Sequence, residues 1–345
     1  MYDITRFTPQ DMAKCSLVLR QFGRNTPSME ASSQNIVKYI YEHFCDRQTG
    51  ENTCGLVRLF KTHPYGELED SLQESARRLM KGNSPAADIK CWTLLAAAGS
   101  EPHWNSRHTA VENTAIPLVS AELVAQIPAI SEIIRQFGLD INTVLGAQPE
   151  MFVKLEPGAL NVFYESEAKG SLFVAEQDTL IIPHNIKSVL GFGGLLESGS
   201  LFAVLIFLKV KIPQNTAEMF RYLALSVKTA LSLAKEQIVF NPPEVSGHIV
   251  NNNHNIYEIQ LLEHQVTTLI ELLDFSEQEI VRQAASYKRT IDKLQLEIAM
   301  RKYNEQALQI SQDKFNGILN VAEDSIVRAD ENQGIQRFNQ GEEQI

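Results

Sequence analysis

The longest pattern in the chain is helical. Between about residues 256 and 315, Ile259, Leu262, Val266, Leu269 and Leu273 alternate by three and four, the seam of a heptad with apolar a and d positions. Beyond Leu273 the stripe continues as Ile280, Ala284, Tyr287, Ile291, Leu294 and Ile298, where the partner of each a position has moved from d to e. A straight helix drifts in this way against a seven-residue repeat, so the pattern predicts a supercoil that is regular to Leu273 and looser after it. Charged residues such as Glu263, Glu271, Arg282, Lys288 and Arg301 occupy the other faces, and neither Pro nor Gly interrupts the run from Asn255 to Asn316. About sixty residues at a rise of ~1.5 Å would span roughly 90 Å. A stripe that long needs a partner helix. A second copy of the chain is the simplest partner, with Ile259, Leu262, Val266, Leu269, Leu273, Ile280, Tyr287 and Leu294 at the interface. The stripe leaves parallel and antiparallel pairing open, and a fold-back near Phe275 has no Gly or Pro to mark it.

Upstream the pattern changes character. Thr8-Pro9 opens a helix that ends at Gly23, and a second helix over about 28–44 buries Ile36, Val37, Tyr39, Ile40 and Phe44. GLVRLFKT, residues 55–62, reads as a strand, residues 72–80 as a helix, and IKCWTLLAAA, residues 89–98, as a strand. Residues 119–137 predict a helix or a helix pair interrupted at Pro128. Two apolar runs within 186–210, joined by Glu197-Ser198-Gly199-Ser200, predict a hairpin, and residues 213–233 predict a helix capped by Thr216. Strands and helices mix without strict βαβ alternation, so the expected class is α+β around an antiparallel sheet. Pro242-Pro243 and Asn251-Asn252-Asn253 mark a linker between this block and the long helix.

Composition adds exclusions. A net charge of −11 argues against non-specific nucleic-acid binding, which needs basic surface. The longest apolar run, residues 201–208, is far shorter than the ~20 residues of a membrane span. The first residues carry charge and lack the apolar core of a signal peptide, so a cytoplasmic location is expected. Cys15, Cys45, Cys54 and Cys91 form no framework and fit reduced thiols. His43, Cys45, Cys54 and His63 are all zinc-ligand types, but their spacing matches no usual paired-ligand motif, and buried thiols are expected instead. Gly191-Phe192-Gly193-Gly194 lacks the following Lys-Ser/Thr and helix of a phosphate loop, so these read as strand glycines. Glu67, Glu69 and Asp70 read as a solvated run before a helix. No catalytic or metal-binding residue is assigned.

The order helix, strand, crossover segments, long hairpin and closing helix, over roughly residues 25–235, resembles a GAF domain, with SVLGFGGLLESGSLFAVLIFL as its last two strands. FNGILNVAEDSIVRADENQGIQRFNQGEEQI, residues 315–345, resembles the opening of a PAS domain: an entry helix, strands at 325–329 and 335–339 around a turn at 330–334, and a helix start at Gly341. The expected domains are thus an N-terminal helix (1–24), a GAF-like domain (25–240), a linker (241–254), a signalling helix (255–314) and a partial PAS module. The resemblance implies a sensory fragment of a bacterial signalling protein of the histidine-kinase or nucleotide-cyclase type, with any output activity beyond residue 345. The histidine-kinase phosphoacceptor pattern is absent around His264, which falls at a solvent-facing f position. A non-catalytic interaction scaffold dimerised through the helix is the alternative.

In a GAF domain, segments crossing the sheet cover a ligand pocket. By that resemblance Cys91, Trp92, His103, Trp104, His108 and His184 are the candidate pocket residues, for a small molecule whose identity and cofactor class stay open. Bilin-binding GAF domains attach their chromophore through a Cys followed by His, whereas Cys91 is followed by Trp92, and the residue set of cyclic-nucleotide-binding members is missing.

Overall fold

The computed structural model describes residues 1–24, 26–46, 49–109, 114–146, 162–196, 198–234, 239–240, 255–321, 327–329 and 335–338, with side chains of the last long helix described at 280–281 and 284–318. Two compact units divide the chain, Met1–Val281 and Arg282–Ile345.

The first unit is α+β. Its six-stranded sheet runs in the order β3-β2-β1-β6-β5-β4, every neighbouring pair antiparallel. The strands are β1 (Cys54–Pro64), β2 (Lys90–Gly99), β3 (Ala115–Pro117), β4 (Val162–Glu165), β5 (Ser188–Leu195) and β6 (Leu201–Leu208). Helix α1 (Pro9–Gln21) opens on a capping box: the Thr8 hydroxyl accepts from the Asp11 N–H, and the Asp11 carboxylate accepts from the Thr8 N–H. Helix α2 (Met29–His43) is capped by Ser28. Helix α3 (Asp70–Leu79) follows β1, and α4 (Ala121–Ala125) and α5 (Pro128–Gln136) are the pair split at Pro128, whose missing N–H suits a first turn. A short α6 (Ile141–Gly146) comes next, and α7 (Gln214–Leu233) closes the layer. The expected Thr216 cap is wrong. Pro213, with its fixed φ of −64°, is the N-cap, and Thr216 lies buried in the first turn with its N–H on the Pro213 carbonyl at 3.0 Å.

Helices α1, α2 and α7 bury their apolar faces on one side of the sheet, where Ile36, Ile40, Phe220 and Val227 meet Val57, Leu59, Phe192 and Ile206. The other side is covered by α4 to α6 and irregular segments, with Ile130, Ile133 and Phe137 over Leu56, Ala203 and Leu201. Covered on both sides, β5 and β6 are buried at every position, which is why their sequence is a continuous apolar run. Gly199 turns the hairpin at φ +72°. A Cβ on Gly193 would stand 2.1 Å from the Phe202 carbonyl oxygen and 2.9 Å from the Phe137 ring, so glycine here admits close packing of strand, neighbour and helix end.

Strand β2 carries a bulge. Leu59 pairs with Ala96 but Phe60 pairs with Leu94, so Leu95 has no partner on β1. Trp92 and Leu94 face the α5 side before the bulge and Ala97 faces it after, while Leu95 and Ala96 both join the α2 side.

Helix α8 (Asn255–Val321) is one continuous helix of 67 residues, and the boundary between the units falls within it. Ile280, Tyr287 and Leu294 are 49%, 66% and 52% exposed, so this stripe is uncovered in the single chain. The side chains of Ile259, Leu262, Val266, Leu269, Leu273 and His264 lie outside the described residues. After α8, β7 (Val327–Ala329) and β8 (Ile335–Phe338) pair antiparallel. The turn at 330–334, the helix start at Gly341 and the linker residues 241–254 lie outside the described residues. Among the described residues no helix is long and apolar enough to cross a membrane.

Candidate ligand-binding cavity

A cavity of about 680 Å³ lies on the α5 side of the first unit's sheet. That volume is within the range of pockets that hold small organic ligands. Its sheet wall is built from residues of all six strands: Arg58 and Phe60 on β1, Trp92 and Leu94 on β2, Ile116 on β3, Phe163 on β4, Val189 on β5, and Leu205 and Phe207 on β6. Opposite stand Ile127, Ala129, Ile130 and Ile133 at and in α5, and Phe173 to Glu176 in the segment after β4. The Phe60 and Trp92 rings are nearly parallel, 9° apart with centroids at 5.3 Å, an offset stack within the apolar wall.

Four of the six expected pocket residues line this cavity: Trp92, His103, Trp104 and His184. Trp104 meets His184 edge-to-face at 4.5 Å and His103 at 5.5 Å, and His184 Nδ1 lies 3.9 Å from a Glu101 carboxylate oxygen. The other two, Cys91 and His108, do not line it. Strand alternation sends Cys91 to the opposite side from Trp92, into a cluster with Tyr65, Leu72 and Ala76, where burial pushes its thiol up to about 12. His108 sits on the loop beyond Trp104, its side chain 57% exposed, with Nε2 3.5 Å from a Glu30 carboxylate oxygen rather than in the cavity.

Two charged residues that line the cavity are missing from the expected set, Arg58 and Glu176. Arg58 projects from the middle of β1 with its side chain 10% exposed, and its two terminal nitrogens donate to the two Glu176 carboxylate oxygens at 2.6 and 3.1 Å. Glu176 precedes a π-helical turn (Gln177–Ile181) and holds a left-handed backbone, φ +60°, a conformation that costs a non-glycine residue of order 1 kcal/mol and persists where surrounding contacts fix it. Among the described residues Arg58 Nε is buried without a hydrogen-bond partner. The sequence did hold a signal: a basic residue inside the apolar run of GLVRLFKT. Its partner lies 118 positions away, beyond any local pattern.

The opposite side of the sheet holds two further polar groups. Lys61 Nζ donates to His63 Nδ1 at 3.2 Å, both residues are buried, and burial lowers the Lys61 amine to about 8 and the His63 imidazole well below its usual value. Nearby, Arg107 is held by two carboxylates at once, Nε and one terminal nitrogen on Glu30 at 2.6 and 3.1 Å, and both terminal nitrogens on Glu69 at 2.6 and 3.0 Å. Burial alone would lower its pKa, but the bonds to Glu69 and Glu30 raise it, and Arg107 in turn lowers the Glu69 carboxyl. Phe240 stacks under the Arg107 guanidinium at 5.0 Å, while the Val239 carbonyl accepts from the Glu30 N–H at 2.9 Å. Among the described residues no group of three or more His, Cys, Asp or Glu is placed to hold a metal ion.

Compared with known proteins, the sequence matches no protein-family model, and none of the curated proteins is significantly similar to it.

Proposed function

We propose that this chain is a cytoplasmic sensory fragment, in which the first unit binds a small molecule in the cavity between its sheet and α5, and α8 relays occupancy to the module that follows. The observation that carries this reading is the cavity itself: about 680 Å³, walled by aromatic and aliphatic side chains, with a few polar groups converging on it. The six-stranded antiparallel sheet, the long β5–β6 hairpin and the closing α7 support the likeness to a GAF domain. The β7–β8 hairpin after the helix supports the likeness to the start of a PAS domain. Two copies of α8 pair through the stripe that contains Ile280, Tyr287 and Leu294, and a shift between the paired rods is the two-state element biased by ligand.

Two measurements test the reading. Native mass spectrometry and an absorption spectrum of the purified chain should reveal a co-purifying small molecule, or a ligand screen should raise the melting temperature, since a ligand that binds only the folded state stabilises it. Light scattering at tens of micromolar should give a dimer, and Tyr287→Asp with Leu294→Asp should give a monomer. A monomeric parent chain would sink the relay. A dimer with no ligand response in any screen would favour the scaffold reading, for which the exposed α8 stripe is the specific support.

A further inference from the structure

The cavity has two unlike ends, and strand register orders them. Leu56 on β1 pairs with Gly99 and Thr62 pairs with Trp92, so six residues of β1 at ~3.3 Å each set these two levels roughly 20 Å apart. At the Trp92 level the lining is closed and apolar: Trp92 and Leu94 are each 3% exposed, and Trp92 pairs across the sheet with Ile116. At the Gly99 level β2 gives way to Glu101, His103 and Trp104, which line the same cavity, and the Trp104 ring lies 2.7 Å from where a Cβ of Gly99 would stand. Here the wall is open. The Glu101 side chain is 41% exposed, the His184 side chain beside it 22%, and His103 is exposed.

Charge follows the same division. Besides the two histidines, the ionisable side chains lining the cavity are Arg58, Glu176 and Glu101. Arg58 and Glu176 offset each other in their bidentate pair, at a level between the two ends where Arg58 pairs with Ala97. Glu101 has no such partner: among the described residues its carboxylate meets only His184 Nδ1, at 3.9 Å, beyond hydrogen-bond reach.

We propose that the ligand of the first unit is an elongated primary amine, apolar along its length, that enters tail first toward Trp92 and leaves its ammonium group at the open end on the Glu101 carboxylate. The proposal deepens the sensory reading and rests on it. An ammonium offers three donors and no acceptor, which matches a carboxylate that only accepts. At the open end it stays partly hydrated and avoids the cost of burying a charge, while the tail takes the end from which water gains least.

The test is isothermal titration of the full chain with nonylamine, 1-nonanol, nonanoate and hexylamine, on the parent and Glu101→Gln proteins. The parent should bind nonylamine about threefold to tenfold more tightly than nonanol, the gain of a charge-assisted contact at a partly exposed carboxylate, and nonanoate most weakly of the nine-carbon probes. Glu101→Gln should abolish the advantage of the amine and leave nonanol unchanged. Nonylamine should exceed hexylamine by at least about tenfold, since each further buried methylene is worth about fourfold. Equal binding of nonylamine and nonanol to the parent, or tightest binding of nonanoate, overturns the amine assignment while leaving the cavity reading intact. Persistence of the amine preference in Glu101→Gln shows that another group holds the cation and also overturns it. Equal binding of hexylamine and nonylamine overturns the placement of the tail. Binding of none of the four at millimolar concentration overturns the cavity reading as well.

Discussion

Replacing Arg107 with Met tests whether the buried double pairing holds the first unit together. The side chain is 3% exposed, and its removal strands Glu30, whose side chain is 8% exposed, and Glu69, at 31%. Glu69 is exposed enough for water to screen much of its loss, so its share is near that of a surface pair, roughly 0–1 kcal/mol. Glu30 dominates. Taking one partner from a buried ion pair costs about 3–5 kcal/mol, and here Glu30 loses its bidentate contact to Arg107. His108, 3.5 Å from Glu30, softens this only when protonated. The expected loss for Arg107→Met is therefore about 3–5 kcal/mol at neutral pH, measured by urea unfolding followed through fluorescence of the two tryptophans. The pH dependence has a definite sign. In the parent, Arg107 lowers the Glu69 carboxyl, so that stability is present above the ordinary carboxylate range and lost as pH falls through the lowered value. The variant lacks this contribution at every pH. The difference between the two proteins should thus shrink toward pH 4. Adding Glu30→Gln and Glu69→Gln to Arg107→Met should recover at least about 2 kcal/mol, since no buried charge then remains unpaired. A single-variant loss below about 1 kcal/mol, or no recovery in the triple variant, would refute the reasoning.

Other outcomes follow from the same core. The His63 imidazole is held well below its ordinary value, so the unfolded chain binds its proton first, and stability should fall as pH drops below about 6.5; His63→Leu should flatten that limb of the melting-temperature profile. Lys61 has the same sign in alkali. Its amine is lowered to about 8, so stability should rise as pH climbs from there toward the ordinary lysine value, and Lys61→Met should abolish the rise. Gly193→Ala places a methyl group 2.1 Å from a backbone oxygen, which strand and helix must move to admit; a loss of at least about 1–3 kcal/mol in urea melts is expected, and a neutral result would contradict the packing.

Much of the sheet was legible because its signals are local. The β5–β6 hairpin announces itself by two apolar runs around Gly199, and α1 by Thr8-Pro9, since caps and turns need only neighbours in sequence. Thr216 was misread for the same reason: a good capping residue stands three positions after a proline that starts the helix first. The cavity was half legible. Trp92, His103, Trp104 and His184 were expected in it, but Cys91 was grouped with them although adjacent strand residues point to opposite sides. Arg58 and Glu176 were not found, because their meeting is set by how the segment after β4 returns over the sheet, a tertiary fact with no periodicity of its own.

The bulge at Leu95 means that β2 is read in two frames. Before it the even-numbered Trp92 and Leu94 line the cavity, and after it the odd-numbered Ala97 faces that same side of the sheet. An insertion or deletion within β2 is therefore absorbed at one place only. Excising Leu95 would restore an even ladder and leave Trp92, Leu94 and Ala97 where they are, whereas excising Thr93 would rotate Trp92 out of the cavity and carry Cys91 into it. What faces the ligand on this strand is decided by residue count as much as by residue type, so two relatives with the same composition and a one-residue difference in β2 would present different chemistry to the same cavity.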